Sequence, residues 1–483
     1  MNREIELKLE LAPDAADAFG RLAFLPADSH ATALQAIYFD TPDRDLAGRG
    51  MSLRIRRSGG KRVQTVKADG DDRIGGGRIG SGTGLFARAE WEMPVADDVP
   101  VLDARTPVAA MLGEAVHAME PAFHVDVERR TWIVAEDAAE IELVLDRGQV
   151  SAGDRQAPIC EIELELKSGA PDALFRFARR VDAELAVRPG VMTKAERGYR
   201  LRDAVALSVK AEPVALDPSM AAGEAFLRIG GSCLRHYRLN EALLLDHYDD
   251  RALHQARVAV RRLRSALWLF RPILEEADVA RFQGELKWLA AVLGEARDLD
   301  VLAQDEELRE RLEAARAQAH DRVRQWLESA RVRALLIDLV EWLALGAGQG
   351  EGSGLAVDFA VRRLQRLRKR IVKRGAHLAK LDDEARHEVR KDAKKLRYAS
   401  EFFAGLFDGK KQRRRQAKFI AALEEVQTGL GTLNDLIAAP ALLAEYGLAD
   451  EARVRPKKKR KLLAEAAGAY EELVEAPRFW ERS

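Results

Sequence analysis

Through most of the first 200 positions charge recurs on alternate residues, and few folds accommodate a chain patterned in this way. MNREIELKLEL (1–11) sets Glu4, Glu6 and Lys8 on one side of a strand, with Ile5, Leu7 and Leu9 on the other. A period of two is a strand signature, because successive side chains point to opposite faces. SLRIRR places Arg54 and Arg56 together, and ARAEWEM aligns Arg88, Glu90 and Glu92. IELVLD pairs Glu142 with Asp146, and CEIELEL aligns Glu161, Glu163 and Glu165. The opposing faces carry Leu53 and Ile55, Trp91, or Ile162 and Leu164. Many such strands at short spacing predict an antiparallel barrel or sandwich.

Two arrangements satisfy this pattern. An ordinary sheet rests its apolar face on a core and leaves its charges in water. A closed barrel turns the charges inward and covers its apolar outer faces with helices. Buried charge is costly unless paired or ion-bound, so such a lumen calls for a ligand of matching charge. Five strands with the same division favour the barrel. Arg and Lys suit phosphate oxygens, whereas rows of Glu and Asp suit divalent cations of the Mg2+ or Mn2+ type. Together they predict a metal–polyphosphate site: cations hold the phosphate chain, and carboxylate-bound metal neutralises it and activates water. The glycine-rich stretch at 69–84 lacks the spacing of a phosphate loop and is read as a flexible loop or lid.

Pro213 and Pro218 punctuate a linker over 204–222, after which the period becomes helical. GAGQGEGSG (346–354) interrupts this second half, which repeats itself. The segment beginning at 225 aligns without a gap on the one beginning at 358, so that His254, Arg257, Arg261 and Arg264 fall on His387, Arg390, Lys394 and Arg397. Asp249-Asp250 falls on Asp382-Asp383, and LGEARDLDVL (293–302) is similar to LGTLNDLIAA (430–439). Two helical bundles related by a pseudo-two-fold are expected. Spacings of i, i+3, i+7 and i+10 put each basic quartet on one helical face. Like charges so crowded repel and call for an anion. The runs KKQRRRQAK (410–418) and RPKKKRK (455–461) read as solvated surface.

The formal net charge of zero hides an asymmetry, since residues 1–205 hold 28 basic against 35 acidic side chains and the remainder 50 against 43. An acidic half joined to a basic half suggests two parts of one task. Cys160 and Cys233 form neither a disulfide framework nor a CxxC metal site. The chain opens directly on a strand without a basic-then-apolar leader, and no run of 18 apolar residues occurs. A cytoplasmic protein with no membrane segment is expected. Aromatic residues make up only 6% and barely interleave with the basic faces, which argues against nucleic acid as a partner.

Glu4-x-Glu6-x-Lys8 resembles the ExExK signature of the CYTH superfamily, the triphosphate tunnel metalloenzymes. The remaining elements follow in order: YFDTPDRDL (38–46), Arg54-x-Arg56, Lys67, Arg88 with Glu90 and Glu92, Arg129 in ERRTW, Asp146, the Glu161/Glu163/Glu165 strand, and Lys194 in TKAERGY. Over residues 1–203 the resemblance implies an eight-stranded antiparallel tunnel with flanking helices. The implied activity is hydrolysis of inorganic triphosphate, with ATP, thiamine triphosphate or an RNA 5′-triphosphate as alternative substrates. Lys8, Arg54, Arg56, Lys67, Arg88, Arg129 and Lys194 are implied to bind phosphate. Glu4, Glu6, Asp146, Glu161 and Glu163 are implied to hold Mg2+ or Mn2+ and position water, with Glu165 joining or replacing Glu161. Glu4, Glu6 and Lys8 are the implied catalytic set, and either Arg129 or Arg130 faces inward.

Residues 223–475, with repeats near 223–345 and 355–475, resemble the CHAD domain through the two HxxR helices, Arg297-Asp298 and Asn434-Asp435. That resemblance implies inorganic polyphosphate binding by the two basic quartets, without catalysis. The whole arrangement resembles bacterial CYTH–CHAD inorganic triphosphatases. The expected fold class is α+β, an N-terminal eight-stranded antiparallel barrel followed by an all-α domain of two bundles.

Overall fold

A computed structural model of the chain describes residues 5–69, 85–86, 88–346, 354–448 and 456–481. Glu4 and nearly all of the glycine-rich insertion at 69–84 lie outside the described residues. The chain divides into two compact units, Met1–Val209 with Trp326–Gly346, and Lys210–Gln325 with Ala347–Ser483. No helix among the described residues is long and apolar enough to cross a membrane.

The first unit is built on strands β1 (Glu6–Leu11), β2 (His30–Asp40), β3 (Met51–Ser58), β4 (Lys61–Asp69), β5 (Leu85–Phe86), β6 (Arg88–Pro94), β7 (Glu120–Glu136), β8 (Ala139–Ala152), β9 (Arg155–Ser168) and β10 (Val187–Pro189). Its short helices are α1 (Ala16–Phe19), α2 (Val108–Leu112), α3 (Asp172–Glu184) and α4 (Lys194–Arg202). The strand order is β10-β1-β9-β8-β7-β2-β3-β4-β6, with β5 also on β1. Every pairing is antiparallel. The expected antiparallel domain is therefore present, with ten strands instead of eight among the described residues and no continuous closing ladder among them. One stretch of chain borders both edges, because β5 bonds β1 through Glu6↔Phe86 while β6, which follows, bonds β4.

Register assigns the faces. Leu7↔Leu164↔Leu143 and Leu9↔Ile162↔Leu145 run across three neighbouring strands on the outer face. Helix α3 covers β1, β7, β9 and β10 and buries Leu174, Phe175, Phe177 and Val181. Leu53, Ile55 and Val66 form a second outer cluster with Val108 and Leu112 of α2. The inner face is divided. Toward one end Leu34, Tyr38, Phe123, Val125, Val150 and Ile159 gather around Tyr199 of α4. Toward the other stand the charges of β1, β3, β4, β6, β7, β8 and β9. Helix α4 therefore lies against the inner face, packed on β7, β8 and β9. It starts with a capping box in which Thr193 accepts from Glu196 N–H and the Glu196 side chain accepts from Thr193 N–H.

The second unit contains α5 (Ala222–Asp246), α6 (Asp250–Phe270), α7 (Glu276–Leu302) and α8 (Glu306–Glu328, whose last turn passes into the first unit). After α9 (Ala330–Glu341) come α10 (Ala356–Arg374), α11 (Asp383–Phe402), α12 (Lys410–Glu445) and α13 (Pro456–Glu475). Asp249 and Asp382, aligned in the repeat, cap α6 and α11 in the same way, each accepting from a backbone N–H of the first turn. Phe226 and Phe270 meet Phe359 and Phe403, their counterparts in the repeat, in a shared aromatic cluster with centroids 4.8–6.4 Å apart.

Helix α9 differs from the expectation for its segment. Trp326–Gly346, read from sequence as the end of the first helical repeat, belongs to the first unit. Helix α9 packs on α3 and β10 and buries Leu335, Leu336, Ile337, Leu339 and Val340. Arg179 of α3 reaches Asp338 at 2.7 Å and also contacts Glu341, while Arg333 meets Asp182 at 2.5 Å.

Gly198 gives the packing of α4 a sharp test. A Cβ there would lie 2.2 Å from the Phe123 ring. That ring is fixed between Tyr38 (4.6 Å) and Tyr199 (5.0 Å). Alanine would gain about 1 kcal/mol of helix propensity, whereas overpacking a tight core costs about 1–3 kcal/mol. Gly198→Ala is expected to lower the melting temperature of the first unit, measured by calorimetry on the full chain. An unchanged or raised midpoint would mean that α4 does not pack on Phe123 as described.

Candidate functional site

Parity along β8 and β9 brings Asp146 opposite Glu161, with Glu163 two residues further along. Asp146 and Glu161 are fully buried. One carboxylate oxygen from each of Asp146, Glu161 and Glu163 lies within 4.8 Å of the others. Three such anions cannot share a dry site alone. Lys8, opposite Glu163 on β1, donates to Glu161 at 2.8 Å and Glu163 at 2.5 Å. Lys194, the first residue of α4, reaches Asp146 at 2.7 Å and Glu163 at 2.9 Å, and also contacts Glu161. A cation at a helix N-terminus opposes the helix dipole, so these carboxylates account for its position. Arg129, opposite Asp146 on β7, grips that carboxylate with two N–H groups at 2.8 and 2.6 Å and donates to Glu163 at 2.8 Å.

The titrations follow from this arrangement. Burial alone would raise Glu163, yet Lys194, Lys8 and Arg129 hold it well below the usual carboxylate range. Asp146 and Glu161 are held down against burial mainly by Lys194. Burial likewise opposes the Lys8 and Lys194 charges, and the carboxylates outweigh it and raise both. The cluster is therefore fully ionised at neutral pH.

Arg54 and Arg56 project from β3 on the same inner face, opposite Tyr38 and Ala36. Arg54 stands 3.4 Å from the Tyr38 hydroxyl. Arg56 is lowered, first by burial and then by Arg54 and Arg129, so three guanidinium groups crowd one another. The nearest carboxylate to Arg56 is Glu92, at 3.9 Å. Lys67 of β4 pairs with Glu90 at 3.1 Å.

Several expectations are sharpened or corrected. Arg129 faces inward, while Arg130 points away toward Glu128 at 4.0 Å. Glu165 does not join the carboxylate cluster, because its carboxylate is held by Lys167 at 2.7 Å. Glu6 is 3.5 Å from Lys8, at the margin of the cluster. Arg88 opens β6 with its side chain outside the described residues. The predicted roles, cations for phosphate and carboxylates for metal, are not separated in space. Lys8, Arg129 and Lys194 lie among the acids, because buried carboxylates need counter-charges at contact distance. Sequence reasoning missed Glu10, which continues the parity of Glu6 and Lys8 and accepts from Arg197 at 2.7 Å. It also left Asp40 of YFDTPDRDL without a role. That buried carboxylate accepts from Thr41 N, Leu46 N, Ala47 N and the Tyr199 hydroxyl at 2.7–3.0 Å, tying the β2–β3 turn to α4.

The cluster fits a hard divalent cation. Its donors are all carboxylate oxygens, and Glu161 Oε2 is buried without a hydrogen-bond partner. Asp146, Glu161 and Glu163 are the residues that could hold such an ion.

In the second unit the basic quartets converge in part. Arg257 lies 3.7 Å from Asp298, and Arg390 lies 4.0 Å from Asp435 in the other repeat. His387 bonds Asn434 at 2.9 Å. The field of Arg261 acts on His254 and also on Arg390 and Lys394, so the two faces share one electrostatic site. Burial, then Arg297, Arg261 and Arg257, push His254 down to about 4. Burial, then Arg390 and Arg261, push Lys394 down to about 7. Arg261 also donates to the Tyr398 hydroxyl at 2.9 Å. Arg264 is lowered by burial alone, and Arg397 is engaged by Glu401 and Glu424 at 3.5 and 3.4 Å. These last two stand apart from the shared site.

Family models match twice, a CYTH domain over residues 2–199 and a CHAD domain over 228–444. An inorganic triphosphatase of Haemophilus influenzae is 31% identical over 210 residues, or 42% of this chain and 55% of that protein. The chain thus spans about half the length of that relative. An uncharacterized protein of Mycobacterium tuberculosis is 27% identical over 410 residues, covering 76% of this chain and 75% of its own length. The crystal structure of the CHAD domain from the plant Ricinus communis is 33% identical, with a TM-score of 0.45, covering 56% of this chain and 92% of that one. By the two family models, and with the fold and residues already described, the chain is a CYTH domain joined to a CHAD domain.

Proposed function

We propose that the first unit hydrolyses inorganic triphosphate to pyrophosphate and phosphate with Mg2+ or Mn2+. The observation that carries this reading is the inner-face cluster, in which three carboxylates and three cations neutralise one another beside the less fully paired Arg54 and Arg56. The likeness to the Haemophilus influenzae protein named an inorganic triphosphatase supports it. Arg54 and Arg56 would receive one end of the phosphate chain, since guanidinium forks match phosphate oxygens. Lys8, Arg129 and Lys194 would turn from carboxylates to phosphate, freeing Asp146, Glu161 and Glu163. A divalent ion held there would neutralise the phosphate and activate water. Neither partner can fully replace the resident cations alone, so metal and triphosphate would bind cooperatively. We further propose that the shared basic site of the second unit holds inorganic polyphosphate. Crowded cations kept partly neutral by burial are stabilised when a polyanion arrives.

Purified chain supplied with Mg2+ or Mn2+ is expected to release phosphate from inorganic triphosphate faster than from ATP or thiamine triphosphate. Glu163→Gln and Lys8→Ala should each lose about 100-fold or more in kcat, assayed well below the lowered melting temperature that loss of a buried charge partner brings. Full activity in both would remove the cluster from the reaction.

The lowered Lys394 sets a pH dependence for the second unit. Its ammonium is half neutral near pH 7 in the empty site, and a polyanion would draw the proton back. Polyphosphate affinity is therefore expected to fall as pH rises above about 7, with proton uptake on binding. Titration calorimetry in two buffers of different ionisation heat reads both, and Lys394→Met should flatten the profile. A wild-type profile flat from pH 6 to 9, roughly the range in which Lys394 titrates, would exclude Lys394 from the site.

A further inference from the structure

Fourteen residues beyond His254, about 21 Å along α6 at the helical rise, Trp268 lines a cavity of about 480 Å³ in the second unit. Its charged lining is Arg271, Arg363, Arg366 and Arg370, against the single acid Glu276. Arg271 is matched by Glu276, and Arg370 meets Asp392 at 3.1 Å. Arg366 is exposed and has no hydrogen bond or ion pair among the described residues. Arg363 lies 5.1 Å from the centroid of the Trp268 ring, and its one protein acceptor is the Trp268 carbonyl at 3.4 Å. Its Nε is buried without a partner. Burial, then Arg366, lower its proton affinity. Lys395 adds a further cation over the same ring at 4.6 Å.

The repeat supplies an internal control. Arg363, Arg366 and Arg370 align with Gly230, Cys233 and Tyr237, all buried in the other bundle. Trp268 aligns with Glu401, which is bound by Arg262. Of the two equivalent positions between the repeats, one is thus closed with core and one ion pair, and the other opens a cationic cavity. The fold does not require these arginines.

We propose that the Trp268–Arg363–Arg366–Arg370 cavity is an anion site for an oligophosphate chain, separate from the shared basic site on α6 and α11. The guanidinium forks of Arg363 and Arg366, which meet no acid among the described residues, suit tetrahedral phosphate oxygens. The cavity lies within the volume range of ligand sites. The proposal does not depend on the assignment of the first unit or of the shared basic site. Its test is calorimetric titration of inorganic triphosphate into full-length chain in metal-free buffer, with ATP in parallel to separate a free inorganic chain from a nucleotide's phosphate tail. Arg363→Glu/Arg366→Glu should lose one binding equivalent, or weaken it at least tenfold, for one or both ligands. Arg257→Glu/Arg390→Glu should keep that equivalent. Arg366→Glu alone alters an exposed residue and serves if the double variant melts early; it should weaken the same equivalent. Isotherms unchanged from wild type for both ligands in natively melting variants would overturn the site.

Discussion

Lys8, Arg129 and Lys194 hold Asp146, Glu161 and Glu163 in a buried patch of sheet, and neither set could be buried there without the other. Removing one partner of a buried pair typically costs about 3–5 kcal/mol, so the patch resists partial dismantling. It also dictates architecture. Lys8 comes from β1, Arg129 from β7, the acids from β8 and β9, and Lys194 from the first turn of α4. The sheet must curve enough to converge these strands, and α4 must lie against the inner face. Asp40 supports the same arrangement from the other side, fixing the β2–β3 turn to Tyr199 of α4.

A cluster so neutralised is at rest, and the same contacts that stabilise it define what can disturb it. A lone divalent cation would meet carboxylates already satisfied by ammonium and guanidinium groups. A lone triphosphate would have to draw those cations away and leave buried carboxylates bare. Presented together, the two would exchange partners and keep every charge matched. The second unit solves a different problem. There the cations are crowded without enough acids, and burial with the neighbouring cations keeps His254 neutral and lowers Lys394 to about 7.

Much of this was legible in the chain, because strand parity is rigid. Spacing alone put Glu6 with Lys8, Arg54 with Arg56, and Glu161 with Glu163 on one face of each strand, and the helical repeat was visible from its identities. Parity gives the face of a side chain but not its depth or its partners. It did not reveal that Lys194 enters the acidic cluster, since that depends on α4 lying inside, a consequence of Tyr199 and Phe123 packing. It left Arg129 and Arg130 undecided, because one residue of slippage exchanges the faces. It did not separate Glu165 from Glu163, whose difference is the neighbouring Lys167. Helix α9 was assigned by its helical period, and period carries no information about which core an amphipathic face will join.

Exchange between resident cations and incoming ligands is read most directly in the affinity of the full chain for Mn2+. It should be determined with and without a non-hydrolysable triphosphate analogue, by paramagnetic resonance of the free ion, in wild type and Lys194→Met. In wild type the analogue should tighten Mn2+ binding by about tenfold or more, within the range of ordinary coupling between sites. Lys194→Met should bind Mn2+ more tightly than wild type when the analogue is absent. Equal Mn2+ affinities in all four conditions would contradict the exchange.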